Sequence, residues 1–178
     1  AYVVLWMWIF NPQGGLLNTL LAAIGIVGPR WLIDPQWALP SLLLMTFWGW
    51  GRAMVIYLAG LQGVPPALYE AAEMDGAGTA ARFWRVTLPM ITPTILFALI
   101  LSVIGTFQTF TSAFVATNGG PLDATLFYVL YIYRQAFQFF RMGYASALAW
   151  VLFAIILVLT LALFRSGNFW VYYEGKRD

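Results

Sequence analysis

Long apolar runs alternate with short polar breaks along this chain, and the spacing of the breaks predicts its helices. Residues 1–29 carry no charge, but Asn11-Pro12-Gln13-Gly14-Gly15 interrupts them, leaving a helix end over residues 1–10 with Trp6 and Trp8 as interfacial side chains. Residues 16–26 suit a short helix on or dipping into an interface, too short to span, before Gly28-Pro29-Arg30 and Asp34-Pro35 restore turn chemistry. Residues 37–62 predict the first complete span, interrupted only by Arg52. No charge occurs between Arg85 and Asp123, which predicts a second span at about 91–114, closed by the turn Thr117-Asn118-Gly119-Gly120-Pro121. Residues 125–138 read as an aromatic, helical, interfacial segment, given Arg134 and the nearby Arg141. Residues 143–164 predict the last span, ended by Arg165 and the polar tail 174–178.

Between the first two spans lies a polar island, residues 66–89. It holds Glu70, Glu73, Asp75, Arg82 and Arg85, over half of the charged side chains in the first 120 residues, so it belongs in water while its flanks belong in lipid. Pro65 and Pro66 suit a helix start, because the first turn leaves its N–H groups unpaired in any case, and Glu70 and Glu73 lie near the positive end of the helix dipole. Gly76 is placed to stop that helix in a left-handed conformation. A second short helix is expected over residues 79–87, stopped by Pro89. Two short helices joined at Asp75-Gly76 make a compact knob protruding from the membrane.

Composition narrows the class. With 62% hydrophobic and 9% charged residues, the chain has too few charges to cover a soluble globule. It is predicted to be an all-α, polytopic transmembrane helix bundle, with residues 1–178 forming a single membrane domain. Cysteine and histidine are absent, which removes disulfides, thiolate chemistry and the usual zinc and acid–base sites. Lys176 is the only lysine, and Gly175-Lys176-Arg177 has no glycine-rich approach of the phosphate-binding kind, so ATP energy would have to come from another chain. The net charge of +2 makes no case for nucleic acid, and no cofactor is implied. The opening Ala1-Tyr2-Val3-Val4, without methionine or a basic leader, is expected to be a fragment's start inside a membrane helix. If the island and the tail share the cytoplasmic side, the basic residues near the span ends divide five to three in its favour: Arg82, Arg85, Arg165, Lys176 and Arg177 against Arg30, Arg134 and Arg141.

The ordered series Glu70-Ala71-Ala72, Asp75-Gly76-Ala77, Phe83, Leu88-Pro89 and Pro93 resembles the cytoplasmic Glu-Ala-Ala loop of the membrane-spanning permease subunits of ABC importers. The likeness runs on through Asn11-Pro12 with Gly15 and Asn18, Asp34-Pro35, Ala59-Gly60-Leu61-Gln62 with Pro65, the turn at Thr117-Asn118-Gly119-Gly120-Pro121, Tyr133 with Ala136-Phe137, Gly143-Tyr144-Ala145-Ser146-Ala147 and Trp170-Val171-Tyr172-Tyr173-Glu174. It is nearest to the carbohydrate type, the permeases for maltose, lactose and glycerol phosphate. The resemblance implies an N-terminally truncated permease fold, since such subunits usually have six spans and the first two and most of the third are absent here. It implies a bacterial inner membrane, with the loop and the C terminus cytoplasmic. Glu70, Ala71, Ala72, Asp75, Gly76, Ala77, Leu88 and Pro89 would serve coupling, docking as a helical knob in a groove of an ATP-hydrolysing subunit. The implied partners are two ATP-binding subunits, a second homologous permease, an extracytoplasmic solute-binding protein and the bilayer. The chain itself would perform no covalent chemistry.

Two sets of residues are candidates for the solute path. Ser102, Gly105, Thr106 and Thr109 fall at i, i+3, i+4 and i+7 and so share one helical face. That pattern fits a water-filled path and equally fits hydroxyls packing between membrane helices. The resemblance places a sugar site on this helix. Met45, Trp48, Gly49 and Arg52 form a second face. A cation near mid-span costs roughly 2.5–3.5 kcal/mol on insertion scales and usually faces a cavity or a partner, so Arg52 offers donors to a solute, or a structural pair, or snorkels to the interface. Two other classes stay open. A membrane-embedded lipid-modifying enzyme would need clustered acids, histidines or cysteines at membrane depth, where the spans offer only Arg52. A non-transporting receptor or assembly subunit would be separated by whether purified complexes hydrolyse ATP in response to a loaded binding protein.

Overall fold

The computed structural model describes residues 1–172, the side chain of Arg52 excepted, so the expectations for Tyr173, Glu174, Lys176 and Arg177 lie outside the described residues. Every regular element among the described residues is helical, in accord with the all-α expectation. The chain divides into two compact units, one formed by Ala1–Gly49 with Thr106–Phe153 and the other by Trp50–Gly105 with Ala154–Asp178.

The first unit contains α1 (Tyr2–Ile9), α2 (Leu16–Ala23), α3 (Pro35–Phe47), α9 (Thr111–Ala116), α10 (Tyr128–Tyr133) and the first part of α11 (Met142–Trp170). Helix α3 starts where the sequence favours it: Pro35 occupies the first turn and the Asp34 carboxylate accepts from Gln36 N at 3.0 Å. Phe10, Trp31, Leu42, Met45, Ala113 and Leu130 form the core. Asn18 ties the connections to it, its Nδ2 donating to the carbonyls of Pro12 and Pro29 and its Oδ1 accepting from Trp31 Nε1 at 2.7 Å. The turn after α9 is braced by the buried Thr125, whose hydroxyl meets that of Thr117 at 2.6 Å, and by Arg134, which pairs with Asp123 at 3.1 Å and with the Asn118 carbonyl.

The second unit contains α4 (Trp50–Gln62), α5 (Pro66–Met74), α6 (Thr79–Arg82), a π-helical turn (Phe83–Thr87), α7 (Leu88–Met90), α8 (Thr92–Phe107) as far as Gly105, and the remainder of α11. Helices α4 and α8 approach closely at Gly60, where a β-carbon would lie 2.7 Å from Thr94 Oγ1. The Thr92 hydroxyl donates to the Pro89 carbonyl at 2.6 Å and accepts from Tyr172 N at 2.9 Å, fixing the start of α8 against the end of α11.

Two helical stretches, Thr92–Ala116 and Met142–Trp170, are long and apolar enough to cross a membrane. The large side chains of Met142–Trp170 face outward, Trp150, Val158 and Leu161 among them, as lipid requires and water would not.

Four boundaries differ from expectation. The span expected over 37–62 is two helices of 13 residues each, α3 and α4, parted at Trp48 and Gly49. There the N–H groups of Trp48 and Gly49 turn to the i−3 carbonyls of Met45 and Thr46, the Thr46 hydroxyl bonds Leu43 O at 2.6 Å, and Gly49 and Gly51 give weak helical support. The span expected over 91–114 is likewise broken between α8 and α9, where Phe110 leaves helical geometry and its ring stacks on Phe114 at 5.1 Å. Pro89 does not stop the second short helix. The π turn delivers Leu88 N to Phe83 O, and helical backbone continues through Pro89 to Met90, the wider turn absorbing the missing N–H. Arg165 does not end the last helix either; α11 runs on to Trp170, since arginine is a good helix former and its long stem lets the charge snorkel.

Candidate functional site

The polar island folds as a hairpin of two short helical limbs. Pro65 adopts an extended conformation ahead of α5, and Pro66 opens the helix. At its far end Gly76 N donates to Glu73 O at 2.9 Å and Ala77 N to Ala72 O at 2.9 Å, while Gly76 takes φ +74°. This is the Schellman closure, which satisfies the last carbonyls of α5 and reverses the chain. Gly78 caps α6, accepting from Arg82 N at 3.0 Å.

Two clasps hold the limbs together. The Arg82 guanidinium pairs with the Glu73 carboxylate, and the hydroxyls of Tyr69 and Thr87 meet at 3.0 Å. The ion pair is largely exposed on its glutamate side, so it contributes on the order of 0.2–1 kcal/mol. Between the limbs lies an open cleft of about 420 Å³ lined by both apolar and charged groups, among them Ala72, Asp75, Gly76, Ala77, Arg82 and Arg85. The alanines and glycines keep its walls low, so a partner helix or loop can approach the backbone closely.

Of the residues expected to act in coupling, the structure gathers Ala72, Asp75, Gly76 and Ala77 around this cleft. Glu70 and Ala71 lie exposed on α5, and Leu88 and Pro89 are half-buried in the continuing helix, away from the cleft lining. Sequence reasoning missed Ala81, Arg82, Arg85 and Val86 as lining residues. Their i, i+1, i+4, i+5 spacing on the second limb was the available signal.

The path candidates are brought together less well. Met45 is wholly buried in the first unit's core, whereas Trp48 is 67% exposed and meets Trp6 edge-on at 6.3 Å, so the two do not share an open face. The break at Trp48 and Gly49 also ends the helical register that would link them to Arg52, whose backbone lies in α4. Ser102, Gly105 and Thr106 do share an exposed face of α8. Thr109 falls beyond the end of that helix, its N–H turned to Thr106 O at 3.3 Å.

Residues 2–169 match the family model described as binding-protein-dependent transport system inner membrane component. The chain is 44% identical to a probable ABC transporter permease, YesP, of Bacillus subtilis strain 168, over 100% of this chain and 58% of that protein. It is 41% identical to the lactose transport system permease LacF of Rhizobium radiobacter, over 94% of this chain and 58% of the relative. A bacterial alginate ABC transporter, crystallised with an alginate pentasaccharide-bound periplasmic protein, is similar in structure, with a TM-score of 0.84 and 28% identity over 93% of this chain and 58% of that one. The chain thus spans somewhat more than half the length of these relatives.

Proposed function

The chain belongs to the binding-protein-dependent transport system inner membrane components, and on that premise we propose that it forms part of the path by which an ATP-driven importer moves a sugar across a bacterial inner membrane. The observation that carries the coupling half of this reading is the hairpin: a polar, doubly clasped projection of small residues joined by backbone to the short apolar helix α4 on one side and to the membrane-length stretch from Thr92 on the other.

Such a hairpin converts motion. A groove on an ATP-hydrolysing subunit that grips α5 at Ala71, Ala72 and Gly76 moves the whole projection, because the clasps and the Schellman turn leave little freedom inside it. Glu70 and Asp75 supply carboxylates to basic or N–H donors in that groove. The helical path through Pro89 and the single turn at Ile91, braced by the Thr92 hydroxyl on Pro89 O, passes the displacement into α8 and to Ser102 and Thr106, which offer hydroxyls to a solute. Two ATP-binding subunits, a second permease and an extracytoplasmic binding protein complete the assembly, with the hairpin and the C terminus on the cytoplasmic side.

The sugar part of the reading is supported by the relatives' names, lactose for one and alginate for the other. Cationic solutes are disfavoured by the lack of any acid between residues 76 and 122.

The reconstituted complex of full-length protein with its partners tests the proposal through ATP hydrolysis. Addition of a binding protein loaded with its sugar is expected to raise the rate several-fold over the unloaded protein. An identical rate with both would leave a receptor or assembly role in its place.

A further inference from the structure

The two limbs of the hairpin differ in charge. The first, α5 with its cap, carries Glu70, Glu73 and Asp75 and no basic residue; the second carries Arg82, Phe83, Trp84 and Arg85 and no acid. Phe83 and Trp84 are not folded into the cleft. They are 47% and 66% exposed and meet edge-on, ring centroids 5.5 Å apart, beside the exposed Arg85. An aromatic pair of this size left outward on a polar hairpin requires cover. What lies nearest along the chain is lipid, since the membrane-crossing stretch begins at Thr92, eight residues after Trp84 and thus at most about 12 Å further along a helical path. The headgroup layer on each side of the hydrocarbon is about 5–8 Å deep.

We infer that the second limb, through Phe83, Trp84 and Arg85, rests on the anionic phospholipid surface beside the span, while the acidic first limb is turned to water. Indole and phenyl rings prefer the headgroup level, and a juxtamembrane arginine is drawn to phosphate by roughly 1 kcal/mol. The same negative surface repels Glu70 and Asp75, which pair with no base among the described residues, and so turns the acidic wall of the cleft toward water and a protein partner. The bilayer thereby fixes the tilt of the hairpin and keeps α5 presented outward. This goes beyond coupling and is separable from it, because a hairpin resting on lipid needs no ATPase to do so.

Nitroxide depth measurement tests it. These 178 residues contain no cysteine, so Trp84→Cys and Phe83→Cys each give a single labelling position within them, and Met74→Cys, at a site 89% exposed on the acidic limb, gives the water-side reference. The full-length protein, with cysteines elsewhere replaced by serine, is placed in nanodiscs containing phosphatidylglycerol, with and without its ATP-binding subunit. Labels at 84 and 83 are expected to show a severalfold higher ratio of oxygen to nickel-complex collisions than the label at 74, in both preparations. Equal ratios at all three positions would place the limb in water and overturn the inference. Shielding of 84 and 83 from both reagents would overturn it too, showing a protein in place of lipid. Either label suffices if the other variant folds poorly, and a failure of ATPase coupling leaves these ratios unchanged.

Discussion

Gly76→Asp is expected to leave the full-length protein inserted and folded while cutting solute uptake by an order of magnitude or more. The structural cost of the change is small. Gly76 sits at φ +74° with nothing within 4 Å of the position a β-carbon would take, so the new side chain meets no atom. What remains is the left-handed backbone, roughly 1–2 kcal/mol for a non-glycine residue and less for aspartate, which can bond locally. That is minor against a folding free energy of about 5–15 kcal/mol. The functional cost is large, because the substitution adds bulk and a second carboxylate beside Asp75 at the tip of the hairpin, where close approach depends on small neutral groups. Glu70→Lys acts at the other end of the limb by reversing the charge offered to the partner. Size-exclusion profiles, uptake and co-purified ATPase separate the two costs: normal profiles with lost uptake and lost ATPase are the expectation. Unchanged uptake would remove the hairpin from the mechanism. Gly76→Ala, which carries the backbone cost without the charge, should fall between the two.

Gly60→Leu should do the opposite, failing at the level of the fold. A β-carbon at Gly60 would lie 2.7 Å, 2.9 Å and 3.0 Å from three atoms of the Thr94 side chain, and threonine, branched at its own β-carbon, has no flexible end to move aside. Helices α4 and α8 must then separate, losing the close packing that holds membrane helices together. Overpacking of this kind costs about 1–3 kcal/mol. The melting temperature in detergent is expected to fall by several degrees, with transport lost in proportion to folded protein. The smaller Gly60→Ala should lose less, and Thr94→Gly, which removes all three clashing atoms, should recover most of what Gly60→Ala loses. An unaltered melting temperature for Gly60→Leu would show that the contact between α4 and α8 is slack.

Much of this was legible because the signals are local. Pro66 at a helix start and Gly76 at its end depend on neighbours within four residues, and each behaves as its chemistry dictates. Charge-free length located the starts of Thr92–Ala116 and Met142–Trp170 to within one residue of the expected 91 and 143. The failures share another cause. Helix breaks at Trp48–Gly49 and at Gln108–Phe110 fall inside charge-free runs, where the absence of charge carries no information about a break, and contacts with residues far along the chain, such as Phe110 against Tyr133 at 5.3 Å, are invisible to it. Pro89 misled because a proline preceded by a π turn no longer leaves a carbonyl in its way. The clasps Glu73 with Arg82 and Tyr69 with Thr87 join residues nine and eighteen apart, beyond the reach of helical periodicity. The extended face from Met45 to Arg52 failed for the same reason as the span beneath it: a register counted at 3.6 residues per turn holds only while the helix does.

The central claim, that this chain works as the membrane path of an ATP-driven importer, is tested most directly by purifying the tagged full-length protein in mild detergent and identifying by mass spectrometry what accompanies it. Recovery of an ATP-binding subunit together with a second permease is the predicted result, with the ATP-binding subunit lost from the Gly76→Asp preparation. Reproducible recovery of the folded protein alone would contradict the account and return the hairpin to the status of a juxtamembrane connector.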